Sequence, residues 1–187
     1  MYASGEGVKS DMREAFTWYS KAADFGHVKS QNNLANIYMV GIGVVQNYSE
    51  AARWYKKAAD GGNFVSLASL AELYQFGEGV EQDEVKAVKL YKTSAEQGHI
   101  KKAMNNLGFM YLKGHGVKQN YVTAYKWFSV AELNRSHKGN VNKFDMLSYV
   151  SLDEQTTAVK MAKEWMIKFP PPPIENMDDE KEEKPSS

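Results

Sequence analysis

"GEGVEQDEVKA", residues 77–87, decides how this chain is read. Two close glycines, a capping residue and the start of a helical pattern give it the outline of a phosphate loop. A phosphate-gripping loop occurs once per domain, follows a strand, and brings a third glycine or a Gly-Lys-Ser/Thr ending. None of these is present, and the segment has copies instead. Gly-x-Gly-Val stands at Gly5 to Val8, Gly41 to Val44, Gly77 to Val80 and Gly114 to Val117, in steps of 36, 36 and 37 residues. Such a period marks a repeat array.

The rest of the unit keeps the same step. Asp11, Asn47, Asp83 and Asn120 fall in register, as do Ala15, Ala51, Ala87 and Ala124. Trp18, Trp54, Leu90 and Trp127 follow, each with an aromatic neighbour at Tyr19, Tyr55, Tyr91 and Phe128. Gly26, Gly62 and Gly98 close the unit, with Arg135 in the fourth copy. Leu34, Leu70 and Leu107 stand four residues before Tyr38, Tyr74 and Tyr111.

Each unit reads as two helices. Ala51, Trp54, Tyr55 and Ala58 lie at i, i+3, i+4 and i+7, one stripe of a 3.6-residue period. Asn47 with Glu50 and Asp11 with Glu14 have the capping-box pattern that starts this second helix. Ser30, Leu34, Ile37 and Tyr38 form the stripe of the first helix, after which Gly41 suits a left-handed helix end. The Gly-x-Gly-Val corner is therefore expected to end helix A, reverse the chain, bury its valine and deliver it to the cap of helix B. Small residues such as Ala15, Ala22, Ala35, Ala51, Ala58 and Ala71 alternate with large ones, so the aromatic series reads as core.

These residues resemble the Sel1-like repeat, a relative of the tetratricopeptide repeat with a longer corner. The family pattern, Leu-Gly-x-x-Tyr, Gly-x-Gly-Val, x-x-Asp and Ala-x-x-Trp-Tyr-x-Lys-Ala-Ala-x-x-Gly, is read in "NLANIYMVGIGVVQNYSEAARWYKKAADGG" and in "NLGFMYLKGHGVKQNYVTAYKWF". The resemblance covers roughly residues 1–135. It implies an all-α fold, an α/α solenoid of antiparallel helix pairs wound as a right-handed superhelix with a C-terminal capping helix. The expected organisation is a partial repeat at 1–26, repeats at 27–62, 63–98 and 99–135, a degenerate repeat with the capping helix at 136–169, and a disordered proline-rich acidic tail at 170–187. Arg135 and Glu132 depart from the pattern, "GNVNKFDMLSYV" is a degenerate helix A, and "SLDEQTTAVKMAKEWM" opens on a capping box, Ser151 to Glu154. Its expected stripe is Ala158, Met161, Ala162 and Trp165. It looks like the terminal helix of many bacterial Sel1-like proteins.

Tyr2 is in register with Tyr38, so "MYASGEGV" reads as the last turn of a helix A whose earlier turns are missing. The first complete helix, residues 11–25, is then expected to expose an apolar strip. Any signal sequence would lie upstream, which leaves cytoplasm and periplasm both open.

Composition bounds the rest. The chain has 187 residues, 43% of them apolar, and no apolar run approaching the ~18 residues of a membrane span. Its 23 basic and 23 acidic residues balance, with a net +4 over residues 1–173. That excess is too small and scattered for a nucleic-acid face, which wants a pI above about 9. Cysteine is absent, which excludes disulfides and thiolate metal sites. All five prolines lie at Pro170 to Pro173 and Pro185, and the proline-free remainder suits a run of helices.

Chemistry is expected to be absent: no catalytic, cofactor-binding or metal-binding residue emerges. His27, His99, His115 and His137 include no i, i+4 pair, and no Ser-x-Gly elbow or His-Glu-x-x-His occurs. His27 and His99 occupy equivalent repeat positions. The reading is a scaffold or adaptor that binds a protein or peptide on the concave face, as the resemblance also implies. The alternative is an envelope module gripping glycan or cell-wall fragments, weakened because its Sel1-like precedents are cysteine-rich. Helix A residues facing inward are the candidate contacts: Asn32, Asn33 and Asn36; Ser69, Glu72 and Phe76; Asn105, Asn106, Phe109 and Lys113. Lys29, Ala68 and Lys102 lie beside them. Amides can bond a peptide backbone, although Asn33 and Asn106, next to the core leucine, can equally tie neighbouring helices together.

Overall fold

The computed structural model describes residues 12–134 and 142–171. These form α1 (Met12–Asp24), α2 (Val28–Val40), α3 (Tyr48–Asp60), α4 (Phe64–Phe76), α5 (Glu84–Gly98), α6 (Lys101–Lys113), α7 (Tyr121–Leu133) and α8 (Leu152–Lys168), with one short helical turn at 142–145. No strand occurs among the described residues. Each helix packs chiefly on its neighbours in sequence, and α8 closes on α7. This all-helical solenoid agrees with the repeat reading. The first corner with Asp11, the segment 135–141 with Arg135 and His137, and the tail from residue 172 lie outside the described residues.

The corner is built the same way three times. Gly41, Gly77 and Gly114 end α2, α4 and α6 with φ of 79°, 70° and 78°, a conformation cheap only without a Cβ. The N–H of Asn47, Asp83 and Asn120 then donates to the carbonyl of Tyr38, Tyr74 and Tyr111, at 2.9 Å each time. The same three side chains accept from the N–H groups of Glu50, Lys86 and Thr123 and so cap α3, α5 and α7. Gln46, Gln82 and Gln119, just before each cap, donate back to the carbonyls of Met39, Gln75 and Leu112. The corner valines Val44, Val80 and Val117 are half-buried, where the sequence reading has them buried, because the loop rides at the edge of the stack.

The second glycine of each corner sets the spacing between units. A Cβ on Gly79 would stand 2.2 Å from the carbonyl carbon of Tyr48, and one on Gly116 would stand 2.3 Å from the carbonyl oxygen of Glu84. Backbone thus rests on backbone at the start of the preceding helix B. Ser49 Oγ donates to the Gly79 carbonyl at 3.0 Å, and His115 Nδ1 lies 2.9 Å from Glu84 Oε1 across the next contact.

Between the helices, Ala35, Ala51, Ala58, Ala71, Ala87 and Ala103 are fully buried and let backbones approach, while Trp54, Tyr55, Tyr91, Trp127 and Phe128 fill the space between. Each such aromatic contributes roughly 1.5–3 kcal/mol by leaving water. Trp18 is the exception in its column, 57% exposed where Trp54 and Trp127 are 4%.

Three expectations need correction. Gly98 is not the counterpart of Gly26 and Gly62 at the close of its unit: it is the last residue of α5, and His99, the only described non-glycine residue with positive φ, takes that place at φ +50°. The cause is one extra residue within α5, which absorbs the 37-residue step. Gly98 therefore matches Gly61 rather than Gly62. A Cβ there would meet Phe64 at 2.2 Å, much as one on Gly61 would meet Val28 at 2.6 Å. His27 and His99 are consequently not equivalent. His27 caps α2, accepting from the Ser30 N–H, whereas His99 ends α5 and turns its ring toward Trp165 of α8, with centroids 6.0 Å apart. In the terminal helix, the capping box of Ser151 and Glu154 is present, and Ala158, Ala162 and Trp165 are buried. Met161 is 37% exposed, at the edge of that stripe rather than within it.

Two measurements check this packing. Gly62 (φ +88°) and Gly79 (φ +68°) share a backbone conformation, but only Gly79 lacks room for a Cβ. Gly62→Ala should cost about 1–2 kcal/mol in urea unfolding, and Gly79→Ala distinctly more; equal losses would remove the contact from the account. Burial holds the His99 imidazole below its ordinary pKa. Its contribution is present above pH ~6.5, the unfolded value, and is lost as pH falls through the lower folded value. The thermal midpoint of the native chain should drop more steeply than that of His99→Gln on acidification below pH ~6.5.

Candidate functional site

The face shared by α2, α4 and α6 is built from helix positions that the core stripe leaves free. Packing of Leu34, Leu70 and Leu107 against the B helices fixes the rotation of each A helix. The residues one or two positions away then fall at the margin of the core or outside it. The candidate contacts divide accordingly into two groups.

In the first group, the polar atoms are engaged within the fold. Asn32 accepts from Ser66 Oγ at 2.8 Å and joins α2 to α4. Asn36, though exposed, accepts from the Tyr55 hydroxyl at 2.5 Å and joins α2 to α3. Asn106 donates to the Tyr91 oxygen at 2.8 Å, and Tyr91 in turn donates to Gln75 Oε1 at 2.9 Å. Asn105 is 6% exposed, so its expected place on an open face is not what the fold provides. It donates to the Lys101 carbonyl and accepts from Asn142 Nδ2 at 3.3 Å, tying α6 to the segment that follows α7. Ala68 is wholly buried where the sequence reading has it exposed, because it faces α5 in the core. Most of the asparagine ladder thus works as internal bracing.

The second group is open to solvent. Asn33 and Ser69 are half-buried, Lys29 and Lys113 are exposed, and Phe76 and Phe109 are 60% and 41% exposed. Glu72 pairs with Lys102 at 2.5 Å, linking the outer sides of α4 and α6. These residues form a mixed surface of amide, hydroxyl, aromatic and paired charge with no nucleophile–base arrangement. Among the described residues no group of His, Asp and Glu could hold a metal ion.

Burial pushes the Tyr55 phenol up to about 12, with the Ser69 hydroxyl opposing the shift and Glu72 adding slightly to it. Tyr91 moves in the same direction, again through burial and then through Glu72. Both hydroxyls therefore stay protonated donors under the face.

At the C-terminal end of the face lies a cleft of about 350 Å³, which includes Phe109 and Lys113. Sequence reasoning found those two but not the partners that α7 and residues 142–149 bring to them. A larger open hollow of about 970 Å³ follows the acidic corner at Glu81 to Glu84. The Gln46, Gln82 and Gln119 braces also escaped notice, although they repeat at the same 36- and 37-residue steps and that period would have shown them.

The phenols supply a test. With an unfolded value near 10, the stabilisation from a neutral buried Tyr55 is complete below pH ~10 and is lost as pH rises toward the folded value. Unfolding midpoints measured between pH ~10 and ~12 should fall for the native chain and fall less for Tyr55→Phe. Equal slopes would mean that the phenol is solvated rather than buried.

The Sel1 repeat family model matches residues 1–27, 28–63, 65–99 and 101–132. Among solved structures, a Sel1 repeat protein from Oxalobacter formigenes is 27% identical with a TM-score of 0.71, covering 89% of this chain and 68% of its own. A protective antigen present in uropathogenic Escherichia coli strains, displaying an SLR fold, is 25% identical with a TM-score of 0.54. It covers 90% of this chain, which spans 44% of it. No curated protein matches the chain by sequence.

Proposed function

The chain belongs to the Sel1 repeat family, and from that premise we propose that it is a scaffold or adaptor whose α2, α4 and α6 face, the inner face of the solenoid, binds a protein or peptide. Sel1 repeat solenoids serve in general as protein-interaction scaffolds and are typically non-catalytic. The observation that carries the reading to this face is the exposure of Phe76 and Phe109 on successive A helices. Large aromatics left in water beside amides and an ion pair are the composition of a contact surface. Asn32, Asn36 and Asn106 on the same helices are already bonded to Ser66, Tyr55 and Tyr91, so part of the face is ordered before it meets a ligand, and less entropy is lost on binding. An extended or helical segment laid across the three A helices would meet amides on α2, Phe76 on α4 and Phe109 on α6. No helix among the described residues is long and apolar enough to cross a membrane.

The test is affinity capture from lysate of the source cells, with bound proteins identified by mass spectrometry. Three baits are compared: the native chain, a Glu72→Arg/Phe76→Glu variant of the proposed face, and a Lys56→Glu/Lys89→Glu variant of the B helices. A partner retained by the native chain and by the B-helix variant, and lost by the face variant while its circular dichroism is unchanged, is the expected result. Retention by the face variant with loss from the B-helix variant would move the site to the opposite side.

A further inference from the structure

The array changes character at its third full unit. In the first two units, the aromatic that follows the tryptophan column is a tyrosine whose hydroxyl joins a polar network: Tyr55 to Asn36, and Tyr91 to Gln75 and Asn106. The third has Phe128, with no hydroxyl. Opposite it stands Gly108, where the earlier A helices carry Ala35 and Ala71. A Cβ on Gly108 would stand 2.3 Å from the Phe128 ring, so the ring lies directly on the α6 backbone. Phe109 occupies the place of Asn36 and Glu72 and meets Phe128 edge-on, with centroids 5.2 Å apart. A polar network has become an aromatic wall.

The regular stacking contact also ends here. The start of α3 is covered by Gly79 and the start of α5 by Gly116, but no described Gly-x-Gly-Val corner follows to cover the start of α7. Tyr149 instead lies over Tyr121, with ring centroids 5.3 Å apart and planes tilted by 30°. A ring does not fill the space of a stacked backbone corner, and the 350 Å³ cleft opens beside it. That volume is at the small end of the roughly 300–1,000 Å³ usual for ligand clefts. Its open walls are Phe109, Tyr121 and Tyr149, over the wholly buried Phe128, and its lining includes two opposite charges, Lys113 and Asp145. Neither charge has an ion-pair partner among the described residues, whereas nearby Lys102 and Lys143 are paired with Glu72 and Glu132.

We propose that this cleft is an anchor pocket for one large apolar side chain, aromatic or long aliphatic, of a partner's peptide segment, flanked in that segment by one acidic and one basic residue. The aromatic walls supply the energy of apolar burial. Lys113 and Asp145 supply charge complementarity that selects residues of opposite sign on either side of the anchor. This rests on the inner-face reading and gives it an end point: the partner's apolar anchor seats where the array terminates, and the remaining segment runs back over α4 and α2.

The test uses the 187-residue chain, labelled with ¹⁵N, and short probe peptides: acetyl-Lys-Phe-Glu-amide, acetyl-Glu-Phe-Lys-amide, the two alanine counterparts and acetyl-Ser-Phe-Ser-amide. At least one charged phenylalanine probe should give saturable shifts concentrated at the amides of Leu112, Tyr121, Asp145 and Tyr149. The matching alanine probe should bind about tenfold or more weakly, as expected for losing a buried apolar side chain. Tyr149→Ala, at an exposed position, should reproduce that loss with the rest of the spectrum unchanged. Lys113→Glu should weaken the charged probe by roughly threefold, the scale of an exposed charge pair, and leave the serine-flanked probe alone. Equal binding of the phenylalanine and alanine probes, or shifts that never saturate, would overturn the proposal. Saturable shifts confined to α2 and α4 would overturn the pocket and leave the inner-face reading standing. A probe seated in the cleft, with partner capture insensitive to Glu72→Arg/Phe76→Glu, would count against the wider face and not the pocket.

Discussion

Everything in this molecule depends on one steric contact, the seating of a corner glycine on the backbone that begins the preceding helix B. Gly79 rests on Tyr48 and Ser49, and Gly116 rests on Glu84 and Val85, at distances no side chain could share. Because backbone meets backbone, the rise from one unit to the next is fixed by atoms that cannot change rotamer. The hydrogen bond from Ser49 to the Gly79 carbonyl keeps one corner from sliding, and the His115–Glu84 contact spans the other. Alanines between the helices and the buried Trp and Tyr rings then fill a space whose dimensions the corner has already set.

The face of the A helices inherits that rigidity. Its amides mostly bond to hydroxyls beneath or beside them: Asn32 to Ser66, Asn36 to Tyr55 and Asn106 to Tyr91. Burial keeps those phenols protonated and donating. The groups of that face left open to solvent are few, Asn33, Ser69, Phe76, Phe109 and Lys113, on a support that has little left to rearrange. In a repeat protein the frame is shared among units, and specificity falls to the few positions that break the pattern. Phe128 and Gly108 are such a break, and the cleft opens beside them, where Tyr149 replaces a stacked corner over Tyr121.

The sequence carried the frame because the frame is periodic. Glycine, cap, alanine and tryptophan columns state the helix pairs, the corners and the caps, and a 36-residue step leaves little room for another reading. Its single 37-residue step was visible too, but its place was not. Only the left-handed φ of His99 and the tight fit of Gly98 on Phe64 put the extra residue inside α5. The face was half legible. A helical wheel shows which residues lie near the edge of a stripe, yet it cannot say that Asn32 meets Ser66, 34 positions on, or that Asn105 is covered by Asn142. The cleft beyond Phe109 was not legible, since Asn142, Asp145, Met146 and Tyr149 of its lining come from a segment where the repeat has decayed and no period guides the eye.

Site-specific photo-crosslinking distinguishes the A-helix face from the B helices as the surface that meets a partner. A photoreactive amino acid placed singly at positions 33, 69 and 109 on the A helices, and at 56 and 89 on the B helices, reports which side touches a partner in the source cells. The same crosslinked partner is expected from 33, 69 and 109 and none from 56 or 89. Crosslinks from 56 and 89 with silence at the other three would contradict it.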